Sequence, residues 1–416
     1  MNVSSPEPTP PETSEHDVGV LGLGYVGLPT AAVLATVGRR VAGFDLRRDI
    51  LDTINAGRIH IVEPELDALV RAAVLAGTLR AVPKPAPART QLICVPTPIT
   101  PDHRPDLSHV ESAASALVPV LRPGDLVVLE STVPPGTLRE LVAPILARSG
   151  LTPGRDLFVA HAPERVLPGN VLREVVENER IVGGLTDACT DRCAEFYEGF
   201  VRGAVHRASA EVAELTKLSE NAFRDVNIAF ANELANVCAH LGLDVWEVIR
   251  LANRHPRVQI LRPGPGVGGH CIAVDPWFIA AAAPADTPLV QAARRVNDAR
   301  PELVLTQVRK LASRLRRPVI ACLGLAYKPD IDDLRESPAL HIAQALVHDE
   351  CDLLLVEPHL KTSPIPGAAL VDLPRALADA DILVLLVAHR QFRQLRPEHL
   401  LRHQVVDTVG LLRTRT

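Results

Sequence analysis

The sequence predicts an α/β protein in which a long central helix joins two doubly wound parallel-sheet domains. Three observations lead to this fold class. Short apolar strands alternate with helical segments from residue 17 onward, residues 209–241 contain neither proline nor glycine, and the alternation returns from about residue 301. Alternating strands and helices are typical of parallel sheets, because each crossover between parallel neighbours needs a helix-sized connection.

The N-terminal domain is predicted to span residues 17–205. It follows a tail, residues 1–16, that is rich in Pro, Ser, Thr and Glu and is expected to be disordered because it has little apolar surface to bury. Short apolar runs predict strands at 18–21, 41–45, 92–95, 126–129 and 157–160, with a helix at 28–38.

The central region, residues 206–300, is predicted to contain the long helix, which would end near Gly242 and mediate dimer formation. The C-terminal domain, residues 301–416, repeats the strand and helix alternation. Its strands are predicted at 319–326, 353–357, 382–387 and 405–408. This second pattern is consistent either with an ancient duplication of the first domain or with generic α/β patterning.

The composition excludes several functional classes. Hydrophobic residues make up 47% and charged residues 22%, with a formal net charge of −5, so neither a nucleic acid nor an anionic membrane is expected as a partner. No apolar run reaches the length of a membrane span and no basic-then-apolar leader is present, so we predict a cytoplasmic protein. The seven cysteines are scattered and odd in number, which favours reduced thiols and predicts no metal site.

A glycine-rich turn follows the first predicted strand and opens the first helix. Its G-x-G-x-x-G spacing, in this strand-to-helix context, predicts a Rossmann-like dinucleotide site with the pyrophosphate at the helix N-terminus. The turn is expected to contact the cofactor through Gly22, Gly24, Tyr25, Val26 and Gly27. Asp45 ends the second strand and is suited to hydrogen-bond both ribose hydroxyls, so NAD is predicted rather than NADP. Nearby Arg47 and Arg48 are interpreted as a solvated basic turn.

One cysteine, Cys271, ends a loop with four glycines and precedes a segment that is predicted to be helical from near Pro276. The glycines allow the backbone and a substrate to approach the sulfur, and the positive N-terminal end of a helix favours a thiolate. Cys271 is therefore a candidate nucleophile, although most free cysteines are small buried hydrophobes.

Two further sets of polar residues are candidates. Lys217, Asn221 and Arg224 are spaced i, i+4, i+7 on the long helix, so they share one face that either binds a phosphate or an oxyanion or is simply solvated. Glu164 and Arg165 follow the fifth predicted strand, where the loops of a parallel sheet build their sites, and a carboxylate there is able to act as a general base.

From residue 17 to about 412, the sequence resembles the nucleotide-sugar 6-dehydrogenase family, most closely the branch that oxidises UDP-N-acetyl-D-mannosamine. The blocks that carry the resemblance are 59–64 (IHIVEP), 223–234 (FRDVNIAFANEL), 252–258 (ANRHPRV), the Cys271 loop through residue 278, and 332–338 (DDLRESP). The resemblance implies an N-terminal NAD domain, a long helix that mediates homodimers or larger homo-oligomers, and a C-terminal domain that binds the UDP-sugar substrate.

The resemblance also implies a reaction. The C6 alcohol of the sugar is oxidised twice, with two NAD and one water, to a uronic acid for polysaccharide or glycoconjugate synthesis. An aldehyde carbon cannot release a second hydride until a nucleophile has made it tetrahedral, so Cys271 would form a thiohemiacetal and then a thioester. Lys217 and Asn221 would stabilise the oxyanion or position water. Glu164 would assist thioester hydrolysis, and Asp275 would transfer a proton through water.

Binding roles follow from the same resemblance. Further cofactor contacts are Thr97, Thr132 and Arg335. Substrate contacts are Arg165, Val166, Lys217, Asn221, Arg224, His255, Arg257, Gly268 and Lys328. Of these, His255 and Arg257 are expected to serve the site of the neighbouring subunit, which would make the dimer necessary for activity.

The choice of sugar depends on few positions. His270 stands where relatives that use UDP-glucose usually carry serine, which favours a UDP-N-acetylhexosamine, and Ala273 with Trp277 favours the manno epimer over the gluco epimer. UDP-N-acetylglucosamine and UDP-glucose are the alternative substrates. Two other classes compete: a hydroxyacid dehydrogenase with single-step chemistry, which needs no covalent cysteine, and an NAD-binding redox sensor.

Overall fold

The computed structural model describes residues 16–61, 63, 65–166, 169–269, 271–349 and 351–412, with the side chain of residue 397 excepted. The predicted tail lies outside these ranges apart from His16, which begins the first strand. His270, on which the choice of sugar depends, also lies outside the described residues, as do Val62 and Pro64. The chain forms two compact units that divide between Leu218 and Ser219.

The N-terminal unit is built on one sheet. Its strands are β1 His16–Leu21, β2 Val41–Phe44, β3 Leu79–Val82, β4 Ala88–Ile93, β5 Leu126–Leu129, β6 Phe158–His161, β7 Arg180–Gly184 and β8 Val205–Ser209. Within the described ranges their order is β3-β2-β1-β4-β5-β6-β7-β8. All neighbours are parallel except β6 and β7, which are antiparallel. The doubly wound sheet is thus confirmed, with one reversal that the sequence did not predict.

Helices cover both faces of this sheet. They are α1 Gly27–Thr36, α2 Arg48–Asn55, α3 Leu66–Leu75, α4 Ser108–Leu117, α5 Ala143–Leu146, α6 Val171–Glu177 and α7 Asp187–Glu198. Successive strand residues point to opposite faces, so Val20 and Val128 join one buried apolar cluster while Leu21 and Val127 join another. This alternation is why short runs of apolar residues form the buried strands.

The long helix α8, Ala210–Leu241, contains residues of both units and confirms the helix predicted over 209–241. The C-terminal unit continues with α9 Val245–Ala252, α10 Asp275–Ala282, α11 Pro288–Asp298, α12 Arg300–Ala312, β9 Val319–Leu323, α13 Pro338–Leu346, β10 Asp352–Val356, β11 Ala369–Leu370, α14 Leu373–Asp379, β12 Ile382–Leu385, α15 Pro397–Leu400 and β13 Gln404–Asp407. Its described strands form a parallel sheet in the order β11-β10-β9-β12-β13. The second Rossmann-like sheet is therefore also confirmed.

Candidate active site

The glycine turn of the N-terminal unit lies at the carboxyl end of β1, in the crevice where doubly wound sheets bind ligands. Gly22 has φ +91°, and a Cβ there would lie 2.6 Å from the Cys94 carbonyl oxygen. A Cβ on Gly27, the first residue of α1, would overlap the Gly22 carbonyl oxygen, so the close packing of helix on turn needs glycine. At Gly24 a Cβ would meet nothing within 4 Å. The open space beside Gly24 fits the approach of a pyrophosphate.

Asp45 turns its carboxylate back toward the same turn. Its Oδ2 accepts a hydrogen bond of 3.0 Å from the Leu23 N–H, and its Oδ1 accepts one of 3.0 Å from the Arg47 N–H. The Arg47 guanidinium pairs with Asp49 at 2.5 Å on the exposed surface. Asp45 thus stays at the end of β2 while the nearest arginine is engaged elsewhere, an arrangement that suits the two free ribose hydroxyls of NAD.

The loops that follow β4 and β5 adjoin each other at this edge of the sheet. Ser131 donates a hydrogen bond of 2.7 Å from its Oγ to the Val95 carbonyl and so ties the two loops together. Thr97 is buried in the first loop, and Thr132 is partly exposed in the second. The structure therefore places both predicted cofactor residues at the carboxyl ends of neighbouring strands.

Glu164 lies just beyond β6 and is held by an arginine that the sequence analysis missed. The Glu164 Oε2 forms an ion pair of 2.5 Å with Arg180 on β7, and both side chains are at most 5% exposed. The Glu164 Oε1 accepts a hydrogen bond of 2.7 Å from the Arg165 N–H. Removing one partner of a buried ion pair costs about 3–5 kcal/mol, so Arg180 both stabilises and orients this carboxylate.

A second buried acid lies close to this pair. Glu130 accepts hydrogen bonds from the Tyr197 hydroxyl at 2.5 Å and the Cys94 thiol at 3.1 Å. Burial, reinforced by the charge of Glu164, raises the pKa of Glu130. The Arg180 guanidinium lies 5.3 Å from the centre of the Tyr197 ring. The positive charge of Arg180 thus acts on both Glu164 and Glu130. The cluster forms because β4, β5, β6, β7 and α7 come together.

Helix α8 carries Lys217, Asn221 and Arg224, as predicted. Lys217 and Asn221 are each 8% exposed, whereas Arg224 is exposed. Lys217 and Asn221 are therefore not members of a solvated stripe, because both are buried. Buried polar side chains are held in place by hydrogen bonds.

The Cys271 loop ends as the sequence predicted. Helix α10 begins at Asp275 with Pro276 in its first turn, and the Cys271 carbonyl accepts a hydrogen bond of 2.9 Å from the Asp275 N–H. The Asp275 Oδ2 accepts a hydrogen bond of 2.5 Å from Asn221 on α8, and Asp275 is 4% exposed. Cys271 is exposed. The structure thus links Asn221 on α8 to Asp275, and Asp275 to the backbone of Cys271, within the C-terminal unit.

The glycines of this loop are required by close packing. Gly269 has φ +82°, and a Cβ there would lie 2.7 Å from the Tyr327 ring. A Cβ on Gly268 would overlap the carbonyl oxygen of Glu336. The loop therefore packs directly against the segment that contains Lys328, another predicted substrate contact.

The remaining predicted residues of the C-terminal unit lie in exposed or partly exposed positions. Lys328 is partly exposed, with its Nζ 5.8 Å from the centre of the Tyr327 ring. The Arg335 guanidinium pairs with Asp333 at 2.6 Å. The backbone carbonyl of Arg335 accepts a hydrogen bond of 3.3 Å from the Gly269 N–H. His255 and Arg257 are exposed on the turn after α9. In the N-terminal unit, Tyr25 is exposed, and Val26 and Val166 are partly exposed.

Asp330, His359 and His389 have potential metal-ligand atoms within 4.8 Å of one another. However, His389 Nδ1 accepts a hydrogen bond of 2.9 Å from the Asp330 N–H, and its Nε2 bonds to Glu357 at 3.1 Å. Both ring nitrogens are therefore engaged by the protein, and this cluster is structural in the arrangement observed. Among the described residues, no helix combines the length and apolar character needed to cross a membrane.

A glycine turn that suits NAD and a cysteine loop that precedes a helix define an NAD-dependent dehydrogenase with a candidate thiol nucleophile. Family models match three consecutive parts of the chain: the NAD binding domain of the UDP-glucose/GDP-mannose dehydrogenase family over residues 16–201, its central domain over 211–299, and its UDP binding domain over 321–414. The chain belongs to the UDP-glucose/GDP-mannose dehydrogenase family. The predicted family, enzyme class and NAD cofactor are thereby confirmed.

Individual relatives extend over almost the whole chain. The NDP-N-acetyl-D-galactosaminuronic acid dehydrogenase of Ralstonia nicotianae is 55% identical over 404 residues, which are 95% of this chain and 96% of the relative. The UDP-N-acetyl-D-mannosamine dehydrogenase of Escherichia coli is 49% identical over 419 residues, covering 95% and 99%. Among solved structures, the UDP-D-ManNAc dehydrogenase of Pyrococcus horikoshii has a TM-score of 0.88 at 37% identity and covers 96% of both chains.

Proposed function

We propose that the protein oxidises the C6 alcohol of UDP-N-acetyl-D-mannosamine in two steps to UDP-N-acetyl-D-mannosaminuronate, through a thioester on Cys271. The observation that carries the proposal is the contact between Asn221 and Asp275, which ties the start of α10 to α8 one turn beyond Cys271. This contact joins a buried amide on α8 to a buried carboxylate that lies four residues after an exposed thiol. A two-step oxidation needs such a set, because the aldehyde must first be made tetrahedral.

The chain's own residues divide the chemistry as follows. NAD bound at the glycine turn would accept a hydride from C6 in each of the two oxidations, while Lys217 and Asp275 would pass the accompanying hydroxyl proton to water. Between them the Cys271 thiol adds to the aldehyde carbon, and the resulting thiohemiacetal becomes a thioester when the second hydride leaves. Lys217 and Asn221 stabilise the oxyanion that develops on the former carbonyl oxygen. Water then cleaves the C–S bond, giving the carboxylate and regenerating the thiol.

Glu164 is the proposed base that assists this hydrolysis. Its two oxygens are held by Arg180 and by the Arg165 N–H, yet each oxygen keeps a second lone pair able to accept a proton from water. Asp275, fixed by Asn221, is placed to transfer a proton through water near the sulfur. The helix N-terminus at Asp275 favours negative charge on the preceding loop and hence the thiolate.

The relatives support two sugars. Relatives named for UDP-N-acetyl-D-mannosamine are 47–49% identical, and solved structures with TM-scores of 0.88 and 0.86 carry the same substrate in their names. The second candidate is a nucleotide-linked N-acetyl-D-galactosamine, favoured by relatives that are 54–55% identical over 95–96% of the chain. The two sugars differ in configuration at C2 and C4, away from the reacting carbon, so the proposed chemistry is the same for both.

The test is the amount of NADH released per molecule of limiting sugar. UDP-N-acetylmannosamine, UDP-N-acetylgalactosamine, UDP-N-acetylglucosamine and UDP-glucose are offered separately to the purified protein. Two NADH per manno sugar and little from the others are expected, and a preference for the galacto sugar would replace the proposed substrate with the second candidate. One NADH per sugar would indicate single-step chemistry, and none from any sugar would favour the redox sensor.

The cysteine itself is tested by Cys271→Ser. This variant is expected to stop the second oxidation while some first-step chemistry remains, because serine is a far weaker nucleophile toward the aldehyde. Cys238→Ser, which replaces a buried cysteine on α8, is the matched control. Release of two NADH per sugar by Cys271→Ser at the wild-type rate would contradict the thioester.

The proposed assembly is a homodimer formed through α8. Phe223, Phe230 and Val237 are 68%, 51% and 48% exposed and lie seven residues apart, so they form one apolar stripe along the helix. A stripe of this kind favours packing against a second helix. Phe230→Glu is expected to give monomers in light scattering, whereas Glu233→Gln, a change beside the stripe, should leave the dimer intact.

A further inference from the structure

The start of the Cys271 loop is held at Gly264, a residue that the proposed chemistry does not use. The Gly264 N–H donates a hydrogen bond of 2.9 Å to the Oδ1 of Asn232 on α8. The Gly264 carbonyl accepts a hydrogen bond of 2.9 Å from the Nε of Arg300 at the start of α12. Asn232 is fully buried and Arg300 is 7% exposed. Both backbone polar groups of Gly264 are therefore held by buried side chains.

A chain of buried polar groups fixes the orientation of the Asn232 amide. Its Nδ2 donates to the Oδ1 of Asn297 at 2.9 Å, and the Asn297 Nδ2 donates to Asp225 Oδ1 at 2.8 Å. Asp225 is fully buried and paired with Arg294 at 2.6 Å. Because this carboxylate only accepts hydrogen bonds, Asn297 must turn its Nδ2 toward Asp225 and its Oδ1 toward Asn232. Asn232 is then left with its Oδ1 facing the Gly264 N–H.

Arg300 is oriented in a similar way. Its NH1 donates to the Oδ1 of Asn236, one turn beyond Asn232 on α8. Burial lowers the pKa of Arg300, but a guanidinium remains charged at any pH at which the protein is folded. The arginine thus bridges α8 and the Gly264 carbonyl with two donors of one rigid group.

The far end of the loop is fastened to the same helix. Asn221 holds Asp275, and it lies eleven residues before Asn232, which is about three helical turns or roughly 16 Å along one face. Between the two ends, Gly266 has φ +146° and Gly269 has φ +82°. Because glycine also adopts many other backbone conformations, the loop would be flexible without contacts that hold it. Fixing each residue of such a loop costs about 1–2 kcal/mol of conformational entropy, so the contacts at its ends, together with the packing of Gly268 and Gly269 on residues 327–336, decide where the thiol lies.

We propose that Asn232 and Arg300 are positioning residues for Cys271: by holding the backbone N–H and C=O of Gly264 against α8 they set the loop so that the sulfur meets the aldehyde carbon. This inference rests on the proposed role of Cys271 as nucleophile. Neither residue touches the reacting atoms, and both act through the backbone of the loop.

The test compares Asn232→Ala and Arg300→Met with Asn227→Ala, a control on the same helix whose amide donates to the Phe223 carbonyl instead of the loop. A misplaced thiol slows aldehyde capture but not the first oxidation. Both test variants should release closer to one NADH per sugar, with aldehyde trapped by a hydrazide. Their kcat for complete oxidation should fall on the order of 100-fold with KM for either substrate nearly unchanged. The control should release two.

A readout that does not depend on turnover is the rate at which iodoacetamide alkylates Cys271, followed by mass spectrometry. Cys271 is the exposed member of the seven cysteines, so its peptide is readily identified. The rate should change several-fold in Asn232→Ala and Arg300→Met but not in the control. Unchanged alkylation together with two NADH per sugar at the wild-type rate would overturn the inference.

Loss of folding is separated from loss of positioning by Arg300→Lys, which keeps the positive charge and one donor. It should restore part of the two-NADH stoichiometry that Arg300→Met loses, and absence of any rescue in a folded protein would count against positioning. If the proposed function is wrong, Cys271→Ser will keep full two-step turnover. The alkylation rates in Asn232→Ala and Arg300→Met will still show whether these residues hold the loop.

Discussion

The glycine turns of the two sheets have matching backbone hydrogen bonds but carry their acids in opposite environments. In the N-terminal unit, Gly22 has φ +91° and donates to the Phe44 carbonyl at 2.8 Å, and Asp45 accepts from the Leu23 and Arg47 N–H groups. This arrangement joins the end of β1 to the end of β2.

The C-terminal unit repeats each of these contacts. Gly324 has φ +88° and donates to the Val356 carbonyl at 2.8 Å. Glu357 accepts from the Leu325 N–H at 2.7 Å and from the His359 N–H at 3.2 Å. The correspondence extends to single hydrogen bonds, which is closer than generic α/β patterning requires and supports an internal duplication.

The surroundings of the two acids differ. Asp45 is partly exposed, and the position two residues after its glycine is Gly24, where a Cβ would meet open space. The Glu357 side chain is fully buried and bonds to His389, and the position that matches Gly24 is Ala326, which is also buried. The first turn leaves room for a ligand phosphate and ribose, whereas the second is filled by the protein. The same backbone arrangement is thus open to solvent in the first sheet and closed by buried side chains in the second.

The largest expected effect is the loss of stability in Glu357→Ala. The substitution leaves the N–H groups of Leu325 and Ala326 and the Nε2–H of His389 buried without their acceptor. The unfolding free energy of the C-terminal unit should fall by about 3–5 kcal/mol, measured by urea denaturation. Asp45→Ala is the matched control and should lose less than about 1 kcal/mol. Equal losses of unfolding free energy in the two variants would show that the two acids stabilise their units equally.

Glu214 is another buried acid, and it accepts hydrogen bonds from the Gly136 and Leu138 N–H groups at 2.6 and 2.8 Å. Burial raises its pKa from 4.5 to about 7. The pKa of Glu357 lies below 4.5, because the hydrogen bond from His389 and those from the backbone outweigh burial. Glu357 therefore has His389 and one more backbone donor than Glu214, and both lower the pKa of a buried acid.

The raised pKa of Glu214 makes the free energy of unfolding depend on pH. Between about pH 4.5 and 7 the unfolded chain has lost this proton and the folded chain keeps it, so the unfolding free energy should fall by about 3 kcal/mol as the pH rises through this window. Glu214→Gln should remove that decline in urea titrations. Glu211→Gln, at a glutamate whose pKa is lowered by its hydrogen bond to Arg139, should leave the decline in place. A decline that persists in Glu214→Gln would assign the effect to another group.

For Glu357 the pH dependence has the opposite sign. A lowered pKa gives stability that is present above 4.5 and is lost as the pH falls through the folded-state pKa, so acid should destabilise the C-terminal unit through this group. A milder acid loss in Glu357→Gln than in the wild type would support this account.

The smallest change in free energy is expected for NAD binding in Asp45→Ala. Loss of the charge-assisted hydrogen bonds to the ribose should weaken NAD about tenfold, or about 1.4 kcal/mol, with the fold intact. Calorimetric titration with NAD gives the dissociation constant, and Glu357→Gln serves as the control from the other turn. An unchanged affinity in Asp45→Ala would mean that the N-terminal acid, like Glu357, is structural.

Much of the fold could be predicted because the relevant patterns are local. Apolar runs predicted β1, β2, β4, β5 and β6, and the stretch without proline or glycine predicted α8 almost to the residue. The missed strands are β3, β7, β8 and β11: β3 and β8 contain exposed polar or charged residues, β7 ends in two glycines, and β11 has only two residues. Strands of this kind lack the continuous apolar run of a buried parallel strand.

By itself the sequence determined the two Rossmann-like sheets, the glycine turn with Asp45, and the cysteine that ends a glycine loop just before a helix. Only the tertiary structure decided which polar groups meet: Arg180 with Glu164, His389 with Glu357, and Asn232 with Gly264. The reason is physical. Backbone conformation and burial period follow from neighbours in the chain, whereas a polar residue looks the same in sequence whether it is solvated or buried, and its partner is chosen by packing between distant elements.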